Sequence, residues 1–159
     1  MKSAFRGWWK MIKIFNTIFE NSLRVLIILY LINHPINEDK ISAIDFISIY
    51  NKTLGIGDED LHGQNTFAFC EYTARRKIIN ESIKELVLRG LIKVEENSKG
   101  FCYKISPQGQ SIVRNFNTKY SESYMFSVKN TLKFVGNKSE KFLINFINTK
   151  ANIIGGQNE

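Results

Sequence analysis

The side chains that could act as nucleophiles, bases or metal ligands are few in this chain and far apart. There are two histidines, His34 and His62, and two cysteines, Cys70 and Cys102. A nucleophilic Ser or Cys needs an imidazole within hydrogen-bond reach and an acid to orient it, and neither histidine has the sequence context of such a triad. His62, Cys70 and Cys102 lack the paired short spacing that marks a zinc site. Isolated cysteines read as small core residues in a reducing cytoplasm. The acidic tract Asp58-Glu59-Asp60 lacks the ligand spacing of a calcium hand and reads as solvated loop, and no glycine-rich phosphate loop occurs. The expectation is a chain without catalytic site, metal or cofactor.

Charge is the other chemistry available. The formal net charge is +7 over 159 residues, which favours anionic partners where the cations cluster; the abundance of Ile, Asn and Lys fits an AT-rich genome equally well. Arg75-Arg76-Lys77 is the densest basic tract, with Lys99 a more isolated candidate. These four residues either hold DNA backbone, one cation per phosphate and without regard to sequence, or form a solvated charge run.

The elements that must position these groups follow from periodicity. The length suits one domain that buries roughly 70% of its unfolded surface. From Lys2 to Phe19 the apolar residues Phe5, Trp8, Ile12, Phe15 and Phe19 recur at spacings of three and four, with Lys2, Arg6, Lys10 and Lys13 opposite. This arm (1–19) is a narrow-striped basic amphipathic helix. Its stripe packs either on the chain's own core or on a partner, since a lipid surface needs a wider apolar face. A second helix, Glu20 to Asn33, is apolar nearly all round and ends at His34-Pro35. Its run Val25 to Ile32 is too short to span a bilayer. No secretory signal precedes it, and a cytoplasmic, membrane-free protein is expected.

Asp39 or Ser42 caps a further helix that Gly55 and Gly57 break, and a long loop runs from Asn51 to Tyr72. Thr73 caps a helix from Ala74 to Arg89, with Gly90 at its C-terminal cap. Leu91 to Glu95 and Phe101 to Ile105 alternate like the strands of a hairpin turning at Asn97 to Gly100. Ser106-Pro107 opens another helix. Two more helical patterns cover Ser121 to Val135 and Ser139 to Asn148. The fold class is therefore mainly α with a small β hairpin. A winged helix-turn-helix core (20–106) follows the arm, C-terminal helices (107–150) pack on that core, and a flexible tail (151–159) ends the chain.

In a winged helix the helix before the hairpin usually reads DNA. At 100° per residue, Ile79, Ile83, Leu86 and Val87 of this helix face the core and Ile78, Glu81, Glu85 and Leu88 face outward, flanked by Lys77, Lys84 and Arg89. Two carboxylates and two apolar side chains repel phosphate and offer no donors to guanine or adenine edges. Ile78, Glu81, Glu85 and Leu88, with Phe5, Trp8 and Ile12 of the arm, are the candidate protein-binding residues.

The strings Ser22-Leu23-Arg24-Val25-Leu26-Ile27-Ile28-Leu29, Ile44-Asp45-Phe46, Leu61-His62, and Glu71 with Ala74-Arg75-Arg76 and Arg89-Gly90-Leu91 resemble, in order and spacing, the middle component of bacterial ABC-three-component systems. The resemblance runs from about Asn21 to the last helix and leaves out the arm. It implies a small winged-helix subunit beside a large ABC ATPase similar to Rad50 or the structural-maintenance-of-chromosomes (SMC) proteins, and beside an effector that is often a nuclease. Lamassu-type systems against phages and plasmids are of this kind. The chain would then be a non-catalytic adaptor between ATPase and effector, with non-specific DNA contact in the complex. The alternative from a different class is a stand-alone winged-helix transcription regulator.

Overall fold

The computed structural model describes residues 18–62 and 72–156. The candidate residues Phe5, Trp8 and Ile12 lie outside them. A helix covers residues 18–32 (α1) and passes without interruption through the Phe19–Glu20 boundary at which the sequence divides arm from core. Val25 to Leu29 are all buried, as an apolar run without a polar face requires. Asn33, at φ 52°, ends the helix in the left-handed region, and its amide donates to the Leu29 carbonyl at 3.0 Å, an αL cap that precedes the proline.

Ile36–Asn37 (β1) is a strand that the sequence did not reveal; two residues are too few to display a period-two pattern. Asn37 then caps Glu38–Ile49 (α2), its side chain accepting from the Lys40 amide at 2.9 Å. The cap therefore lies before both Asp39 and Ser42, the residues the sequence suggested, because the strand delivers Asn37 in extended geometry directly to the helix. Every residue from Ile41 to Ile49 is buried: α2 is the central helix, packed by the helices Tyr72–Leu88, Lys119–Val135 and Glu140–Gly156.

The chain after α2 turns tightly on itself. The Asn51 carbonyl accepts from Ile56 and Gly57, and the Leu61 amide returns to Ile49 at 2.9 Å. Asp60 accepts from the Thr53 amide at 3.0 Å and from its hydroxyl at 2.5 Å, so one member of the acidic tract fastens the loop while Asp58 and Glu59 stay exposed.

Tyr72–Leu88 (α3) already includes Thr73, which is therefore not its cap. Tyr72 is buried edge-on against Phe46 at 5.1 Å between ring centroids, and this packing draws the helix start upstream. At the other end Gly90 (φ 70°) donates to Val87 and Leu91 to Leu86, each at 3.0 Å. Such paired bonds close a Schellman motif. Ile92–Asn97 (β2) and Gly100–Ile105 (β3) form the expected hairpin, and β1 adds to it in the order β1-β3-β2.

Pro107–Arg114 (α4) is capped by Ser106, whose hydroxyl accepts from the Gly109 amide and donates to Gly90. Gly109 is required there, since a Cβ would stand 2.2 Å from the Leu91 carbonyl oxygen. Lys119–Val135 (α5) and Glu140–Gly156 (α6) complete the chain. Within the residues read as a flexible tail, 151–156 are helical. A glycine costs a propagating helix only about 1 kcal/mol, and the nucleation cost has already been met upstream. The described architecture is mainly helical with one small antiparallel sheet. Its order of helix, strand, two helices and hairpin is compatible with a winged helix.

One polar contact set runs through this apolar interior. Arg24 and Asp45 are 2% and 1% exposed. Arg24 Nε donates to Asp45 Oδ1 at 2.8 Å, Tyr124 donates its hydroxyl to the same oxygen at 2.6 Å, and a second guanidinium nitrogen donates to Asn21. The set ties α1, α2 and α5 together. Burial alone would lower the Arg24 pKa, but Asp45 and the nearby tyrosines raise it above its usual value. Removing one charge strands the other in a low dielectric, so Asp45→Asn should cost about 3–5 kcal/mol in urea unfolding. The triple change Arg24→Met, Asp45→Leu, Tyr124→Phe should recover most of that loss. Equal losses in both variants would mean that shape, not charge pairing, decides the packing here.

Candidate protein-binding surface

The outward face of α3 agrees in part with its projection from sequence. Ile79, Ile83 and Leu86 are buried, and Val87 is half-buried. Lys77, Glu81, Lys84 and Leu88 face solvent, Leu88 at 83% exposure, whereas Ile78 and Glu85 are half-buried along the edges of that face. Glu85 is engaged by Arg89 at 2.7 Å. The four candidates thus form no single flat patch; Glu81 and Leu88 stand at its centre.

Beside this helix opens a groove of about 580 Å³ between α1, α3 and α4. Leu23 and Leu26 of α1, Leu86 and Leu91 after the turn of α3, and Ile112 and Phe116 line it, with Ile18 and Phe19 on its edge and the Glu85–Arg89 pair at its rim. Phe19 remains 56% exposed. The sequence assigned Phe19 to the arm's stripe and left Leu23, Ile112 and Phe116 without a role. Their i, i+4 spacing was the available signal, but it could not say that two distant helices converge.

The basic tract is divided by its surroundings. Arg76 is paired with Asp39. Arg75 lies over the Tyr50 ring, 5.8 Å from its centroid, with Nη2 3.5 Å from His62 Nδ1. Lys77 is exposed, and Lys99 sits at the exposed hairpin tip. Of the four cations proposed for DNA backbone, the two arginines are therefore already engaged within the fold. Among the described residues no group of three or more His, Cys, Asp or Glu is placed to hold a metal ion; Cys102 is a free, buried thiol, and Cys70 lies outside the described residues.

The buried polar set reaches the surface through Tyr120 and His62. Arg24 Nη1 bonds Glu20 at 3.2 Å, Tyr120 stacks on Tyr124 at 6.3 Å, and the Tyr120 hydroxyl stands 3.0 Å from His62 Nε2. Burial raises the Tyr120 hydroxyl to about 12 against the pull of Arg24. Arg24, Asp45, His62 and Arg75, four residues from the strings that carry the family resemblance, thereby form one contiguous chain of contacts across four separate segments. No role for Asp45 or Tyr124 was legible from their sequence context.

A family model described as ABC-three component (ABC-3C) system Middle Component 2 matches residues 14–157. The match takes in the last residues of the arm, which the resemblance read from sequence had left out. No curated protein and no solved structure matches the chain.

His62 has a testable consequence. Burial first, and then Arg24 and Arg75, lower its pKa, with Glu20 and Asp45 acting in the opposite sense. The unfolded chain, at about 6.5, therefore takes up the proton first as pH falls. The stability that depends on neutral His62 is whole above that value and is lost below it. Melting temperature should fall between about pH 7.5 and 5.5, and His62→Gln should reduce the fall. An identical fall in both proteins would assign the pH dependence to other groups.

Proposed function

The chain belongs to the ABC-three component system Middle Component 2 family, and on that premise we propose that it is a non-catalytic adaptor that joins an SMC- or Rad50-like ABC ATPase to an effector, a nuclease, in a complex acting against phages or plasmids. The observation that carries this reading is the groove of about 580 Å³ beside α3, apolar on its walls and edged by an ion pair. Protein interfaces are built in this way, with apolar and aromatic anchors at the centre and charge at the rim. A helix laid in such a groove presents anchors at i, i+3, i+4 and i+7.

The transcription-regulator reading draws less support from the same face. Glu81 occupies the centre of the helix that would enter the major groove, Leu88 offers no donor to a base edge, and Arg76 is neutralised by Asp39. Lys77, Lys84 and Lys99 suffice for weak, sequence-independent contact with phosphates inside an assembled complex. No helix among the described residues is long and apolar enough to cross a membrane.

The test is co-expression with the ABC ATPase and effector of the system, followed by affinity purification. Phe19→Ala combined with Leu88→Glu changes two exposed residues, so the monomer should fold normally. Partner affinity should fall about thirtyfold, the equivalent of roughly 2 kcal/mol for one interface anchor. Undiminished affinity would remove this surface from the interface, and a wild-type chain that joins neither component would overturn the adaptor reading itself.

A further inference from the structure

Charge is segregated along this chain. Residues 18–62 carry three basic and seven acidic side chains, whereas residues 107–156 carry seven basic and two acidic ones. Between 123 and 156 the one carboxylate is Glu140, and its charge is answered by Lys99 and Lys40. The last two helices therefore present lysines that have no acid of their own to meet.

A cleft of about 530 Å³ opens between α5, α6 and the turn at 54–56. Asn130, Lys133 and Phe134 of α5 and Phe146 and Lys150 of α6 form its walls, and no carboxylate among the described residues lines it. Phe134 and Phe146 pack against each other with centroids 4.8 Å apart. Lys150 Nζ stands 5.8 Å from the Phe146 centroid, and Lys138 Nζ stands 4.9 Å and 5.7 Å from those of Phe134 and Phe142. An aromatic face holds an ammonium group in place without cancelling its charge. Lys133, Lys138 and Lys150 form no ion pair among the described residues. Lys138 gives one donor to the Phe134 carbonyl at 2.6 Å and keeps two. Phe142, one turn before Phe146, remains 45% exposed, while Leu143 and Ile147 anchor the helix from its buried side.

We propose that this α5–α6 face binds single-stranded nucleic acid, with phosphates on Lys133, Lys138 and Lys150 and an unpaired base stacked on the Phe142 ring. Cations that track a backbone beside exposed rings are the arrangement that recognises a single strand without regard to sequence. In a duplex the bases stack on one another and offer no face to Phe142. A lipid surface suits the site less well, since insertion needs a broad apolar face; here Phe134 and Phe146 are half-buried against each other and Phe142 alone stands out. The face shares no residue with the groove or with α3, so it stands apart from the adaptor reading.

The probe is a fluorescein-labelled oligothymidylate of about twelve nucleotides, within the span of single-strand sites, titrated with the full chain by anisotropy. Wild type should bind it several-fold more tightly than the same strand annealed to its complement. Lys133→Gln with Lys150→Gln should weaken binding about tenfold and flatten the slope of log affinity against log salt by about 1.4, two phosphate contacts at about 0.7 each. Phe142→Ala should weaken binding about fivefold and leave the slope unchanged, because stacking releases no counterion. Lys93→Gln with Lys104→Gln, opposed across the hairpin, removes the same charge elsewhere and should change affinity less than about twofold. None of these side chains is buried, and an unchanged melting temperature verifies folding. Vesicles of phosphatidylcholine and phosphatidylserine in equal parts should leave the chain in solution. Failure of wild type to bind, equal affinity for the duplex, equal losses in the two lysine pairs, an unaffected Phe142→Ala variant, or capture by vesicles in place of oligothymidylate would each overturn the proposal.

Discussion

The buried charge of Arg24 is the constraint to which the rest of the fold answers. A guanidinium in an apolar interior is tolerable only when its donors are met, and here Asp45, Asn21 and Glu20 meet them while Tyr124 completes the carboxylate. Apolar packing between α1, α2 and α5 would tolerate small slips along the helix axes; these bonds do not, because each is directional and spaced to a fraction of an ångström. Helix α5 is thereby fixed against α1 and α2 in one arrangement.

The seam between α2 and α5 extends that logic with small polar residues. Ser48 and Asn51 of the α2 side both donate to Thr131, and Ser127 donates to the Ser48 carbonyl. Short side chains let the two helices approach closely while each hydroxyl finds a partner. Asn51 closes the end of this seam, its Oδ1 buried without a hydrogen-bond partner.

What the sequence made legible, and what it did not, follows from the range of the interactions involved. The hairpin, the Schellman turn at Gly90 and the Ser106-Pro107 start depend on neighbours within a few residues, and each was found where the local chemistry placed it. The α2 cap and the start of α3 were displaced because longer-range contacts, β1 with β3 and Tyr72 with Phe46, decided them. The core face of α3 was readable from its period. The groove was not, since Phe19 and Leu23 of α1 are separated from Ile112 of α4 and Phe116 just after it by more than half the length of the chain. Nor was the pairing of Arg24 with Asp45 and Tyr124: an arginine within an apolar run signals that it needs a partner but not which one. Arg75 and Arg76 looked like a basic patch because sequence shows charge and hides what folding brings to it, the Tyr50 ring to Arg75 and the Asp39 carboxylate to Arg76.

An apolar groove lies where α1, α3 and α4 converge, and the proposed adaptor role assigns it to a partner. Amide hydrogen exchange, measured on the free chain and on the chain within its assembled ABC-3C complex, tests that assignment most directly. The account predicts added protection in the first turn of α1, across 88–91 and across 112–116, with the already buried α2 unchanged. Protection confined to other segments, with these three exchanging as they do in the free chain, would contradict it.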